Sequence, residues 1–407
     1  MSRGTGRRSA ALGGAVLGVV LASCSPPTPA TDVSTVPAGL PPAQALPGSG
    51  GTWATMAMGR TGDPLDTFGE VFFRPGCAPG SGCAGGAPWS LVTPPGVASN
   101  GGIMIATSPD GGLVAGFGVS LDLRFSPLAA TTDAGSAWSG GILPVALAGE
   151  ADALAASGPA HRLALAAPSP VGTGAVYSAG SDLSVWTREV TRGDVAAAAS
   201  HTGCRLGALS GVAVTATGGD LVAGACTGGG RAGVFRIGKD GLPGVVTDIG
   251  PRISTGAGGP VRALRLVATS SGMSALVATG SGAGSRLELA TSADDAATWT
   301  VSPAYAPGRA VESTSVTSAG GFTVLLGGRR AVAAVIDPGT VWRTLPAPPA
   351  GTAVIASLSA QGALEALVPS GTRLEVDALG PSGWRPVQRL AVPIQHGSTS
   401  AGGGASG

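Results

Sequence analysis

The chain has 407 residues, with 24 Lys and Arg against 23 Asp and Glu for a formal charge of +1. That balance gives no overall attraction to nucleic acid, and no continuous basic patch stands in for one, so nucleic acid is excluded as a partner. With 70 glycines, 4% aromatic and 12% charged residues, the composition describes a chain rich in sheet and turns with few long helical faces. Lys239 is the single lysine, and with the abundance of Ala and Gly this is the bias of a high-GC, actinobacterial genome, which speaks of source and not of function.

The N-terminus carries the first legible element. Arg3, Arg7 and Arg8 precede an apolar run from Ala10 to Ala22, too short for a permanent span and fitting the core of a secretory signal. Leu21-Ala22-Ser23-Cys24 resembles a bacterial lipobox. The resemblance implies a signal peptide over residues 1–23 and an acylated Cys24 that anchors an extracytoplasmic chain to the cell membrane. Arg7-Arg8 leaves the export route, general or twin-arginine, open. Residues 24–51 are rich in Pro, Ala, Gly, Ser and Thr and predict a flexible linker reaching about 30 Å as coil or about 80 Å in polyproline form. At the far end, residues 396–407 are almost all Gly, Ser, Ala and Thr and predict a disordered tail.

Four further cysteines suit an oxidising compartment. Cys77 and Cys83 flank a turn-forming insert, and Cys204 and Cys226 bracket one hairpin, though the other pairings stay open at this level. A zinc site is the rival reading. The spacings lack close ligand pairs and the only histidines are His161, His201 and His396, so neither a metal nor a cofactor is expected.

Between the linker and the tail, residues 52–395, a turn followed by alternating apolar residues recurs at Thr107 to Gly116, His161 to Pro168, Thr215 to Gly224, Thr269 to Ala278, Thr317 to Leu326 and Leu358 to Leu367. Each reads as a hairpin. Trp89, Trp138, Trp186, Trp299, Trp342 and Trp384 each open a short strand, at intervals of about fifty residues with one double gap whose missing mark falls near Asp240-Gly241-Leu242-Pro243. Units of this size cannot bury their own faces until neighbours stack on them. The fold class expected is therefore all-β, a β-propeller of seven blades, with six or eight as alternatives. With strands lettered a to d outward from the axis, the first unit supplies only b, c and d (Thr52 to Gly59, Gly69 to Arg74, Trp89 to Thr93), and the C-terminal Arg389 to Gln395 is the candidate to close the ring as its inner strand.

Thr131-Thr132-Asp133-Ala134-Gly135-Ser136-Ala137-Trp138 recurs as Ser292 to Trp299, with Asp294, and in reduced form as Asp337-Pro338-Gly339-Thr340-Val341-Trp342. The spacing resembles the Asp-box, or BNR repeat, of sialidase-superfamily propellers. These aspartates are expected in the turn between strands c and d, accepting bonds from backbone N–H groups, while each Trp fills space between blades. Because a residue that repeats with the fold serves the fold, Asp133, Asp294 and Asp337 are assigned a structural role. Asp182, one residue closer to Trp186, is similar.

The resemblance places ligands on the opposite face, that of the b-to-c and d-to-a loops. Its residues are Asp63 and Asp66, Asp122 and Arg124, Arg231, Arg286, Arg329 and Arg330, and Arg373. If the arginines turn inward they form a ring for carboxylates, phosphates or acidic sugars; otherwise they are solvated, or paired with local acids such as Glu288 and Glu375. Sialidase chemistry needs an Arg triad, a Tyr activated by a Glu, and an Asp acid/base. Phe73-Arg74-Pro75 is similar to that family's opening motif with one residue lost, and neither Tyr177 nor Tyr305 has a neighbouring Glu in sequence, so no catalytic residue is carried over. Esterase, zinc-protease and phosphate-loop motifs are missing from the sequence. The expectation is a membrane-tethered, monomeric propeller that binds a glycan or an envelope protein without catalysis. The alternative is a divergent glycoside hydrolase or lyase using Asp63, Asp66 or Glu70.

Overall fold

The computed structural model describes residues 42–59, 67–76, 87–94, 102–108, 110–118, 124–168, 174–228, 230–238, 246–253, 259–269, 272–280, 284–335, 341–358 and 363–393. Among these, the strands fall into seven consecutive four-stranded antiparallel groups. The first is Gln44–Gly48, Gly51–Gly59, Thr67–Pro75 and Ser90–Leu91; the second Ile103–Thr107, Leu113–Phe117, Ser126–Thr131 and Ser139–Leu143; the third Leu154–Ala156, Arg162–Leu165, Ala175–Ala179 and Trp186–Thr191. The fourth is Arg205–Val214, Asp220–Thr227, Gly233–Ile237 and Val246–Asp248; the fifth Val261–Thr269, Gly272–Thr279, Arg286–Ser292 and Thr300–Val301. The sixth is Val311–Val316, Phe322–Leu326, Arg330–Val335 and Val341–Leu345, and the seventh Val354–Ser357, Leu364–Ser370, Arg373–Gly380 and Gly383–Ala391. The fold is an all-β propeller.

Stacking explains the composition. Strands b, such as Leu113–Phe117 and Phe322–Leu326, are buried at every position, because a neighbouring sheet covers each face, so they read as continuous apolar runs instead of alternating ones. Strands d, such as Val341–Leu345, are mostly exposed. Close approach of the sheets requires missing side chains: a Cβ on Gly116 would stand 2.3 Å from Leu147, and one on Gly141 would stand 2.1 Å from Leu183.

Two sequence expectations fail here. The inner strand of the first group is Gln44–Gly48, paired antiparallel with Gly51–Gly59 from Gln44↔Thr55 to Gly48↔Gly51, so the propeller begins inside the segment 24–51 expected to be linker. The C-terminal segment expected to close the ring, Arg389 to Gln395, instead contributes to the outermost strand of the seventh group, Gly383–Ala391, against Arg373–Gly380. The physical reason is local: Gln44-Ala45-Leu46-Pro47-Gly48 has few apolar residues between prolines, and its strand state comes from burial between neighbours. It also pairs in parallel with the sixth group at Gln44↔Thr314 and Ala45↔Ser315.

The first and last groups are joined by side chains. Arg74 and Glu365, both buried, form an ion pair, and the Trp89 indole N–H donates to Glu365 Oε2 at 2.7 Å. The Gln388 amide accepts from Trp89 N at 2.8 Å and donates to Trp89 O at 2.8 Å, and Gly59 N donates to Gly371 O at 2.9 Å. A short helix, Arg192–Ser200, follows the third group. It starts at a reciprocal capping box in which Thr191 and Asp194 satisfy each other's backbone N–H. Cys204 and Cys226 form a disulfide across the fourth group's hairpin. Cys24, Cys77, Cys83, the signal segment and the tail lie outside the described residues.

Candidate functional site

The aspartate turns behave as turn chemistry predicts. Asp133 Oδ1 accepts from Ala137 N at 2.9 Å and from Thr131 Oγ1 at 2.8 Å. Asp294 Oδ1 accepts from Thr298 N and from Ser292 Oγ, each at 2.8 Å, and Oδ2 accepts from Thr298 Oγ1 at 2.6 Å. The Thr298 hydroxyl, then the Thr298 N–H and the Ser292 hydroxyl, bring the Asp294 carboxyl down to about 2. For Asp133 the Ala137 N–H leads the same downward shift. Asp337 lies outside the described residues.

The tryptophans do more than fill space. Trp299 Nε1 donates to Ile249 O at 2.8 Å, Trp342 Nε1 to Pro303 O at 3.1 Å and Trp384 Nε1 to Pro346 O at 3.0 Å. Each carbonyl follows strand d of the preceding group, so each Trp hooks its own group onto the one before it. Trp342 also stacks on Tyr305, with centroids 5.2 Å apart and planes at 20°. Trp186 bonds within its own turn, to Leu183 O at 2.6 Å. Trp138 breaks the series: its indole N–H is buried with no hydrogen-bond partner.

That break lies at a cleft. Between the second and third groups, at the end carrying the aspartate turns, a cavity of about 390 Å³ is lined by Asp110, Asp133, Trp138, Arg162 and Asp182 among others. The volume is in the lower range of small-molecule sites. Arg162, only 7% exposed, opens the third group's strand b; its Nη1 donates to Gly180 O at 2.7 Å and to Ser181 O at 3.3 Å. Its Nε is buried with no partner. Burial works against the Arg162 charge, and the Asp110 carboxylate supports it. Asp110 Oδ1 accepts from Ser108 Oγ and from Gly112 N at 3.3 Å, and Asp182 Oδ1 from Ser184 N at 2.8 Å.

A second polar cluster joins the inner strands. Arg265, with a side chain 0% exposed, donates from Nε to Asp152 Oδ1 at 2.8 Å and from Nη1 to Thr314 O at 3.1 Å and Thr314 Oγ1 at 3.2 Å. Asp152 Oδ2 accepts from Leu266 N at 2.6 Å. Burial raises the Asp152 carboxyl, with Arg265 and the Leu266 N–H opposing it. Glu150, raised by burial and opposed by Arg262, pairs with that arginine beside it. These residues tie the third, fifth and sixth groups together, so their arginine fills the interior instead of presenting itself to a ligand. Sequence reasoning missed them.

The arginines expected on the loop face stand where strand c begins. Arg286, Arg330 and Arg373 are the first residues of their strands, while Arg124 and Arg231 lie two residues ahead of Ser126–Thr131 and Gly233–Ile237. All are exposed. Arg329, at φ +60°, donates to Pro348 O. Glu375 pairs with Arg389, and Glu288 is raised by burial while Arg286 opposes the shift. Asp63, Asp66 and Asp122 lie outside the described residues. Glu70 is buried, hydrogen-bonded to Thr93 and raised by that burial. His161 Nε2 lies 2.6 Å from Asp220 Oδ1, a satisfied polar residue.

No protein-family model matches the chain, and no curated protein matches it. Among solved structures it is similar to the periplasmic gluconolactonase of Pseudomonas aeruginosa, with 13% identity over 83% of this chain and 95% of that one and a TM-score of 0.52. A putative 6-phosphogluconolactonase from Bacteroides uniformis matches with 12% identity over 84% and 96% and a TM-score of 0.49. The β-propeller domain of the trilobed protease from Pyrococcus furiosus matches with 8% identity over 86% and 96% and a TM-score of 0.45. These likenesses concern the fold, since one fold hosts many unrelated functions.

Proposed function

We propose that this chain is a non-catalytic binding module of the cell envelope: seven blades of one ring, built on Asp-box turns, lipid-anchored through Cys24 and holding a glycan or protein partner. The observation that carries the reading is the cleft between the second and third groups, two of whose lining residues, Trp138 and Arg162, each hold a buried donor without a partner. A buried N–H without an acceptor costs about 1–3 kcal/mol, and a ligand oxygen relieves that cost. Three of the buried acids described above are committed elsewhere: Asp152 to Arg265 and Leu266 N, Glu365 to Arg74 and Trp89, Glu70 to Thr93.

The test is to incubate the full chain with arrayed envelope glycans and with purified envelope proteins, and to follow the bound material with time. Binding that leaves every ligand chemically unchanged is the expected result. Release of sugar from a glycoside, or opening of gluconolactone, at a rate abolished by substitutions in the propeller would overturn it in favour of the hydrolase or lyase reading.

A further inference from the structure

Resting on the binding reading above, we infer that the cleft between the second and third groups takes a neutral sugar, recognised by Trp138, Arg162, Asp110 and Asp182. Three carboxylates, Asp110, Asp133 and Asp182, line it against one guanidinium, Arg162. An anionic ligand would therefore meet a net negative wall, whose like charges repel it. A cation would satisfy the carboxylates but offer nothing to the two orphaned N–H groups. A hydroxyl does both, because it accepts one hydrogen bond and donates another.

The site is built for that exchange. Asp110 and Asp182 hold their own turns through Oδ1, which leaves Oδ2 to accept from a ligand hydroxyl. Arg162 is fixed through Nη1 on two carbonyls, so its planar fork is oriented in advance. The Trp138 indole adds an apolar face against which a pyranose ring packs. Both orphaned nitrogens are closed to solvent in the free protein, so a sugar oxygen reaches them only by displacing a neighbouring group. The hooking tryptophans, Trp299, Trp342 and Trp384, already spend their N–H on a neighbouring carbonyl, which sets Trp138 apart from them.

The experiment measures affinities of the full chain for D-glucose, D-galactose, D-mannose, N-acetyl-D-glucosamine and D-glucuronate by saturation-transfer NMR and calorimetry. It compares wild type with Trp138→Phe, Asp110→Asn and Arg162→Lys, with Arg385→Ala as a control and a thermal melt for each. Trp138→Phe and Asp110→Asn act without removing the anchor that Arg162 gives Gly180 and Ser181, so they keep the test valid if Arg162→Lys fails to fold. We expect binding of at least one neutral sugar, weakened about tenfold or more in Trp138→Phe and Asp110→Asn, with Arg385→Ala unchanged. Neutral-sugar binding with the same affinity in both variants overturns the cleft while leaving the binding reading in place. Glucuronate binding more tightly than glucose overturns the neutral class. A folded wild type that binds none of the five overturns the inference, and the binding reading then stands or falls on the envelope-protein arm of its own test.

Discussion

Replacing Asp152 with Ala tests how the inner strands are held. The substitution removes the 2.8 Å bond to Arg265 Nε and the 2.6 Å bond to Leu266 N, and leaves a guanidinium whose side chain is 0% exposed without its counter-charge. Breaking a buried pair from one side costs about 3–5 kcal/mol. The double variant Asp152→Leu, Arg265→Met removes both charges, so the losses that remain fall on neutral groups: the Leu266 N–H, at about 1–3 kcal/mol, and the bonds from Arg265 Nη1 to Thr314 O and Oγ1. It should therefore be more stable than the single variant despite carrying one more substitution. Urea unfolding followed by tryptophan fluorescence reads both. A single variant within about 1 kcal/mol of wild type, or a double variant costing as much as Asp152→Leu and Arg265→Met summed, would refute the reasoning that the two charges act as one unit.

Three further expectations follow from the turns, hooks and crosslink. Trp299→Phe loses the bond to Ile249 O and should cost about 1 kcal/mol, whereas Trp138→Phe removes a buried N–H that has no partner, so relief of that penalty offsets the lost packing and it should cost less than Trp299→Phe by the same denaturation. The Asp294 carboxyl lies below its ordinary 3.8, at about 2. A depressed folded value stabilises the turn above the unfolded pKa and loses that stabilisation as pH falls through the folded one, so the Thr298 amide should exchange faster between pH 3.8 and about 2; constant protection over that window contradicts the assignment. Reducing Cys204–Cys226, which are 22 residues apart, should cost about 3 kcal/mol by the chain-entropy relation, read as a lowered urea midpoint in reductant.

What the sequence makes legible is what the fold repeats. Tryptophans and turn aspartates recur because several groups use the same turn and the same anchor, and the spacing of the hairpins follows. Gln44–Gly48 escapes because its strand state comes from partners in the first and sixth groups, and prolines near it read locally as linker. The helix Arg192–Ser200 escapes because its apolar face is slight, with only Val195 and Ala199 buried, although the Thr191-to-Asp194 spacing is a readable cap. Asp152 and Arg265 pair across 113 positions, and nothing local in a chain announces such a pair. The cleft is the more instructive miss: its lining includes Asp133 and Trp138, residues assigned to the fold because they repeat. The signal lay in one repeat tryptophan whose buried N–H has no partner at all, a difference of placement that residue identity does not carry.

The most direct test of a binding site in the cleft is hydrogen–deuterium exchange of the full chain with and without saturating neutral sugar, using whichever of the four gives the highest affinity. Protection confined to Ser108–Gly112, Thr131–Gly140, Gly158–Arg162 and Ser181–Leu183 is the predicted result. Protection at Arg286, Arg330 and Arg373, where strands c begin, with the cleft segments unchanged, would contradict it.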